Sequence, residues 1–156
     1  MIDLLKVFKD CPEYAIMKIR GTFPEYEHGQ DVDIACRDLS DTTRYLSKYF
    51  RMTHPVRINY RSPSHVHFDV MDSNDEINLR FDLYSEFISP KFTEDILDYK
   101  MKVKYGYGFG DTDIWIADYH RDILIKCWEY HTNGKQQYKD YAKFKEGLDV
   151  YLKQDD

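Results

Sequence analysis

The sequence predicts an α+β fold: a mixed β-sheet with helices on one face, an open polar face opposite, and a helical C-terminal segment. Two patterns carry this expectation. Four stretches between residues 31 and 84 alternate apolar and polar residues with period two, the signature of strands with one face buried. Beyond Asp118 the apolar residues recur instead at helical spacing. The chain has 156 residues, which by length suggests one domain over residues 1–156. Residues 1 to about 110 would form the sheet-containing core, and about 111–156 a helical tail packed on it.

Ile2, Leu4, Leu5 and Phe8 fit a short amphipathic helix at the N-terminus. Residues 14–20 read as a strand ending at Gly21, and residues 31–36 as the next strand after a polar loop with Pro24, His28 and Gly29. Ser40 or Asp41 then caps a helix through about Phe50. Val56–Tyr60, His65–Met71 and Ile77–Tyr84 read as strands, separated by Ser62-Pro63-Ser64 and Asp72-Ser73-Asn74-Asp75, both good turn chemistry. A short helix is expected near Thr93–Tyr99, capped by Thr93. The alternating aromatics and glycines of Tyr105–Gly110 read as either a flap or a bent strand. Lys102 and Lys104, just before it, suit either phosphate contacts or protection of a sheet edge. Asp111-Thr112-Asp113 reads as a loop and helix cap. Asp118 opens a helix carrying Ile123, Leu124, Cys127 and Trp128, which Asn133-Gly134 stops. Tyr138, Tyr141, Ala142, Leu148 and Leu152 fit a last helix.

The charge and cysteine content narrow the function classes. A formal net charge of −6 argues against a broad grip on long nucleic acid, which needs a basic footprint. A small nucleotide stays compatible, because metal ions held on carboxylates can meet its charge. Cys11, Cys36 and Cys127 are odd in number and widely spaced, suggesting neither a disulfide framework nor a zinc site. They read as free thiols of a cytoplasmic protein. No apolar run approaches a membrane span, and the charged N-terminus is not a signal peptide.

The chemistry concentrates in a few residues. Asp31 and Asp33 sit at spacing two on one strand, so both carboxylates share a face. Hard divalent ions such as magnesium take carboxylate and phosphate oxygens. A third carboxylate on that face would let two ions share the cluster, and Asp82 in Leu79–Tyr84 is preferred for it over Asp69. Three such aspartates repel one another unless positive charge sits between them. Gly21 allows close backbone approach to a phosphate, and Thr22 adds a hydroxyl. His65, His67 and Asp69 share a strand face as a second constellation and suit either a transition metal or a polar surface whose histidines hydrogen-bond or touch substrate, the latter preferred.

Ile19-Arg20-Gly21-Thr22, Asp31-Val32-Asp33-Ile34 and a later Asp82, in that order, resemble the polymerase-beta-like nucleotidyltransferase superfamily. The resemblance spans about residues 14–86, and the helical tail is similar in style to those of small members. Thr22 stands where Gly or Ser is usual, and Arg20 where an apolar residue is common. The resemblance implies a mixed sheet backed by helices. It implies two magnesium ions on Asp31, Asp33 and Asp82, with Asp82 also helping to activate the acceptor. Gly21 and Thr22 would contact the triphosphate. The implied reaction moves a nucleoside monophosphate from a nucleoside triphosphate such as ATP to a small-molecule or protein acceptor. Two other outcomes are compatible with the residues: a domain of this type that binds a ligand or partner without turnover, and a metal-dependent phosphohydrolase or nuclease using His65 and His67.

Overall fold

Seven strands form one sheet in the order β3-β4-β5-β2-β1-β7-β6. A computed structural model describes residues 1–106 and 110–154. The strands are β1 (Tyr14–Met17), β2 (Gln30–Cys36), β3 (Val56–Ser62), β4 (His65–Met71), β5 (Ile77–Tyr84), β6 (Met101–Tyr105) and β7 (Thr112–Ile116). The helices are α1 (Leu4–Lys9), α2 (Leu39–Phe50), α3 (Pro90–Asp98), α4 (Tyr119–Asn133) and α5 (Lys145–Lys153), with a 3₁₀ segment Gln136–Phe144 before α5. The sheet is mixed. The β2–β5 and β1–β7 pairs are parallel, and the other neighbours are antiparallel. The α+β class read from the alternating strands and the helical tail is the one observed.

The period-two alternation divides the sheet as expected. Ile34, Phe68, Phe81 and Leu83 point to one face, where they are buried with Val7 and Phe8 of α1 and Leu46 and Phe50 of α2. The opposite face is polar over β3, β4, β5 and the start of β2. Toward β1 it turns small and apolar. There Ala15, Met17 and Ala35 pack under Phe92 and Ile96 of α3 and Leu124 and Ile125 of α4. These helices roof one end of the polar face and leave the rest open, which turns an exposed sheet surface into a walled cleft.

Several boundaries differ from the sequence reading. Residues 14–20 do not form one strand. β1 ends at Met17, and Lys18 takes a left-handed backbone (φ +52°) with its N–H donated to Asp122 Oδ1 of α4 at 2.8 Å. Asp38 rather than Ser40 or Asp41 caps α2, its side chain accepting from the Asp41 N–H. Ser89 caps α3 ahead of Pro90, and the Thr93 hydroxyl bonds the Phe87 backbone instead. Asp111-Thr112-Asp113 is not a helix cap, because β7 begins at Thr112 and Asp113 lies opposite Lys104. The expected last helix is broken in two, with Tyr138 non-helical inside the 3₁₀ segment, which buries none of its residues. Tyr105 ends β6, and the remainder of the aromatic–glycine run at residues 107–109 lies outside the described residues. β6 is one of the two edges of the sheet, so Lys102 and Lys104 stand on an edge strand. Among the described residues no helix is long and apolar enough to cross a membrane.

Candidate active site

The open end of the polar face is built from rows of paired residues. In one row Met17, Asp33, Asp82, His67 and Asn59 lie side by side across β1, β2, β5, β4 and β3. In the next row Asp31, Arg80, Asp69 and Arg57 do the same across β2, β5, β4 and β3. Register therefore brings Asp31, Asp33 and Asp82 together: one ligand oxygen from each lies within 4.8 Å of the others. Asp69 is not part of this group. It is buried, and Arg80 donates to both its oxygens at 2.7 and 3.1 Å while Arg57 adds a bond at 3.2 Å. Burial alone would raise the Asp69 carboxyl, but the two guanidiniums outweigh it and hold the group below the ordinary range.

Each remaining aspartate has a different environment. Asp31 is exposed and carries no ion pair among the described residues. Asp33 meets the Lys18 ammonium at 3.0 Å. Asp82 is only 8% exposed and, among the described residues, has no Lys or Arg on it, its contacts being His65 Nε2 and, at 3.4 Å, His67 Nε2 on the same oxygen. Burial pushes the Asp33 carboxyl up, and the charges of Asp82 and Asp31 push it the same way against Lys18. The His67 imidazole is held below its ordinary value by burial, which outweighs the attraction of Asp82.

Lys18 is the residue that sequence reasoning missed. Its side chain is 6% exposed and reaches Glu129 of α4 at 2.6 Å as well as Asp33. Burial alone would lower the Lys18 ammonium below its ordinary value, but the two carboxylates outweigh that and raise it. Glu129 is completed by Asn133 at 2.8 Å and Lys135 at 3.3 Å. In the sequence Lys18 is one of the residues of the expected strand 14–20, and one of its two partners, Glu129, lies 111 residues away.

Two cavities meet at the carboxylates, of about 390 and 370 Å³, each in the size range of small-molecule sites (~300–1,000 Å³). Lys18, Asp31, Asp33 and Lys135 line both. The first continues past Arg20, His28 and Tyr138, and the second past His65, Asp82 and Tyr84. Gly21 and Thr22 line neither. They border a separate depression with Arg20 and Gln30.

The donor set fits a hard divalent cation. Three carboxylates supply oxygens within reach of one point, and one lysine leaves their negative charge in surplus. Such an ion would offset the repulsion among the three carboxylates.

No family model and no curated protein matches the sequence. Among solved structures, an antigenic nucleotidyltransferase-like protein from Paracoccidioides brasiliensis is distantly similar, with 11% identity and a TM-score of 0.47. The match covers 83% of this chain and 64% of that one, so this chain spans less than two thirds of that protein.

Proposed function

We propose that this chain is a magnesium-dependent nucleotidyltransferase acting on a small-molecule or protein acceptor. The observation that supports it is the meeting of Asp31, Asp33 and Asp82 from two adjacent parallel strands at the junction of two cavities. The Asp31-Val32-Asp33 motif and its later third carboxylate supply the family resemblance. Asp31, Asp33 and Asp82 would hold two magnesium ions. Bound there, magnesium would neutralise charge developing on the phosphate oxygens.

The chain's own residues divide the remaining work. The first cavity, with Arg20, Lys18 and Lys135 on its walls, suits the anionic triphosphate. The second, where Asp82 lies, suits the acceptor. In the reaction an acceptor oxygen forms a bond to the α-phosphorus, the bond to the β-phosphate oxygen breaks, and pyrophosphate leaves. The acceptor proton passes to solvent or to a carboxylate such as Asp82. Lys18, fixed by Glu129, orients Asp33 and limits the charge of the site.

Isothermal titration of each nucleoside triphosphate, with and without magnesium, tests this on wild type and Asp33→Asn. The expected outcome is magnesium-dependent binding to wild type that the folded variant loses, followed by pyrophosphate release once an acceptor is found. Lys18 favours one other reading, since its ammonium already occupies one oxygen of Asp33: a ligand-binding domain without turnover. Triphosphate binding that is indifferent to magnesium would select that reading, and no binding would sink the first.

A further inference from the structure

We propose that His65, His67 and Asp82 form a second cation site, selective for a divalent first-row transition ion of the zinc type. The sequence groups His65 and His67 with Asp69, but Arg57 and Arg80 hold Asp69, and the carboxylate at the two imidazoles is Asp82. The sheet closes this ligand set. β4 and β5 pair antiparallel with His67 opposite Asp82 and His65 opposite Tyr84, so both imidazoles share the carboxylate's sheet face, where His65 and Asp82 line one cavity. The Nε2 atoms of both rings approach one oxygen, Asp82 Oδ1. One ligand atom from each of the three residues lies within 4.8 Å of the others.

Two further observations favour a cation over plain hydrogen bonding. The first is charge. Asp69 on the same face holds two arginines and Asp33 holds a lysine, while the buried Asp82 has no permanent cation on it among the described residues. Two neighbouring carboxylates repel a buried one, and a cation held on it offsets that repulsion. The second is orientation. The His65 ring lies flat on Tyr84, with centroids 4.1 Å apart and planes 13° apart, and the His67 ring stands edge-on to His65 at 5.0 Å. The rings are held where they converge, as metal-ligating imidazoles must be.

Ligand chemistry sets the class of ion. Imidazole nitrogen suits zinc and its neighbours, whereas magnesium prefers oxygen alone. Three protein ligands leave a coordination position for water or a substrate oxygen. Asp82 belongs to this set and to the all-carboxylate set, so it would bridge two ions of different character. The proposal goes beyond the nucleotidyl reading and stands without it, since the imidazoles would bind the ion whether or not a nucleotide is turned over.

Cobalt(II) titration of the chelator-stripped full chain, followed by visible absorption, is the test. One equivalent is expected to give a nitrogen-ligated cobalt band that millimolar magnesium does not displace. His65→Gln and His67→Gln should each weaken cobalt and zinc binding at least about tenfold. Asp31→Asn and His28→Gln should keep the band. In wild type, the proton resonances of His65 and His67 should be the first imidazole signals to shift or broaden, a readout that needs no variant. The proposal is overturned if no band forms, or if those two histidines stay unperturbed. It is equally overturned if His28→Gln removes the band, which would place the ion with Asp72 and Glu76. Loss of magnesium-dependent triphosphate binding with the cobalt band intact would count against the nucleotidyl reading alone.

Discussion

Four aspartates share one sheet face, and their neighbours decide what each does. Asp69 and Asp82 look alike in the sequence, since both alternate with apolar residues on a strand. The pairing register separates them: it sets Asp69 between Arg57 and Arg80, and Asp82 between His67 and Asp33. No single strand carries that information, so the sequence could only prefer one. Lys18 was hidden for the same reason, because its role depends on Asp33 and on Glu129 far along the chain. Asp69 is therefore expected to be a stability residue. Asp69→Ala leaves two guanidiniums without their carboxylate, and because both reach solvent the cost should be about 2 kcal/mol, below the ~3–5 for a fully buried pair. Its folded-state carboxyl lies below the ordinary 3.8, so its contribution is complete at neutral pH. That contribution fades as pH falls below about 4 toward the folded value. Urea melts of wild type and variant should thus differ at pH 7 and converge in acid, and a constant difference across that range would contradict the assignment.

At the scale of elements, strands with clean alternation were the most legible and ends the least. β4 and β5 match their expected bounds because period two and the flanking turn residues both mark them. In the β4–β5 turn Asp72 accepts from the N–H groups of Asn74 and Glu76, as its composition suggests. β7 was illegible. Asp-Thr-Asp at its start mimics a cap, and only its pairing with β1 and β6 makes it a strand. Helix starts moved by a few residues because several acceptors compete: Asp38 reached the Asp41 N–H, and Ser89 the Phe92 N–H. The stop of α4 was plain. Gly134 adopts φ +66° and donates its N–H to carbonyls of the last turn. An added Cβ there meets nothing within 4 Å, so Gly134→Ala should cost only the left-handed backbone penalty. That is about 1 kcal/mol, or roughly 2–4 °C in Tm for a chain of this size. Because α4 carries Glu129, the same substitution also tests how firmly the helix end holds Lys18. A melting shift well above that range would mean that the cap also supports the acidic cleft.

The whole molecule sets these parts against each other. One sheet face is covered by α1 and α2, and the other is roofed by α3 and α4 only over Ala15, Met17 and Ala35. The open part of that face gathers surplus negative charge in a chain already at −6. Under the proposed function such a cleft would lower stability in the cation-free protein and recover it on binding, which would link stability to site occupancy. At a magnesium concentration about 100-fold above Kd, binding should add about 2.7 kcal/mol. For a chain of this length that corresponds to roughly 5–10 °C in Tm. Asp31→Asn isolates the effect, because Asp31 has no ion pair to lose among the described residues and its charge acts on Asp33. Its cation-free Tm should equal or exceed that of wild type, by up to about 1 kcal/mol, while most of the magnesium-induced rise disappears. Differential scanning calorimetry of both proteins, without magnesium and with magnesium about 100-fold above Kd, reads both effects. A variant that melts below wild type without magnesium, yet still gains the full shift with it, would mean that the carboxylates are held for the fold and that the cation binds elsewhere.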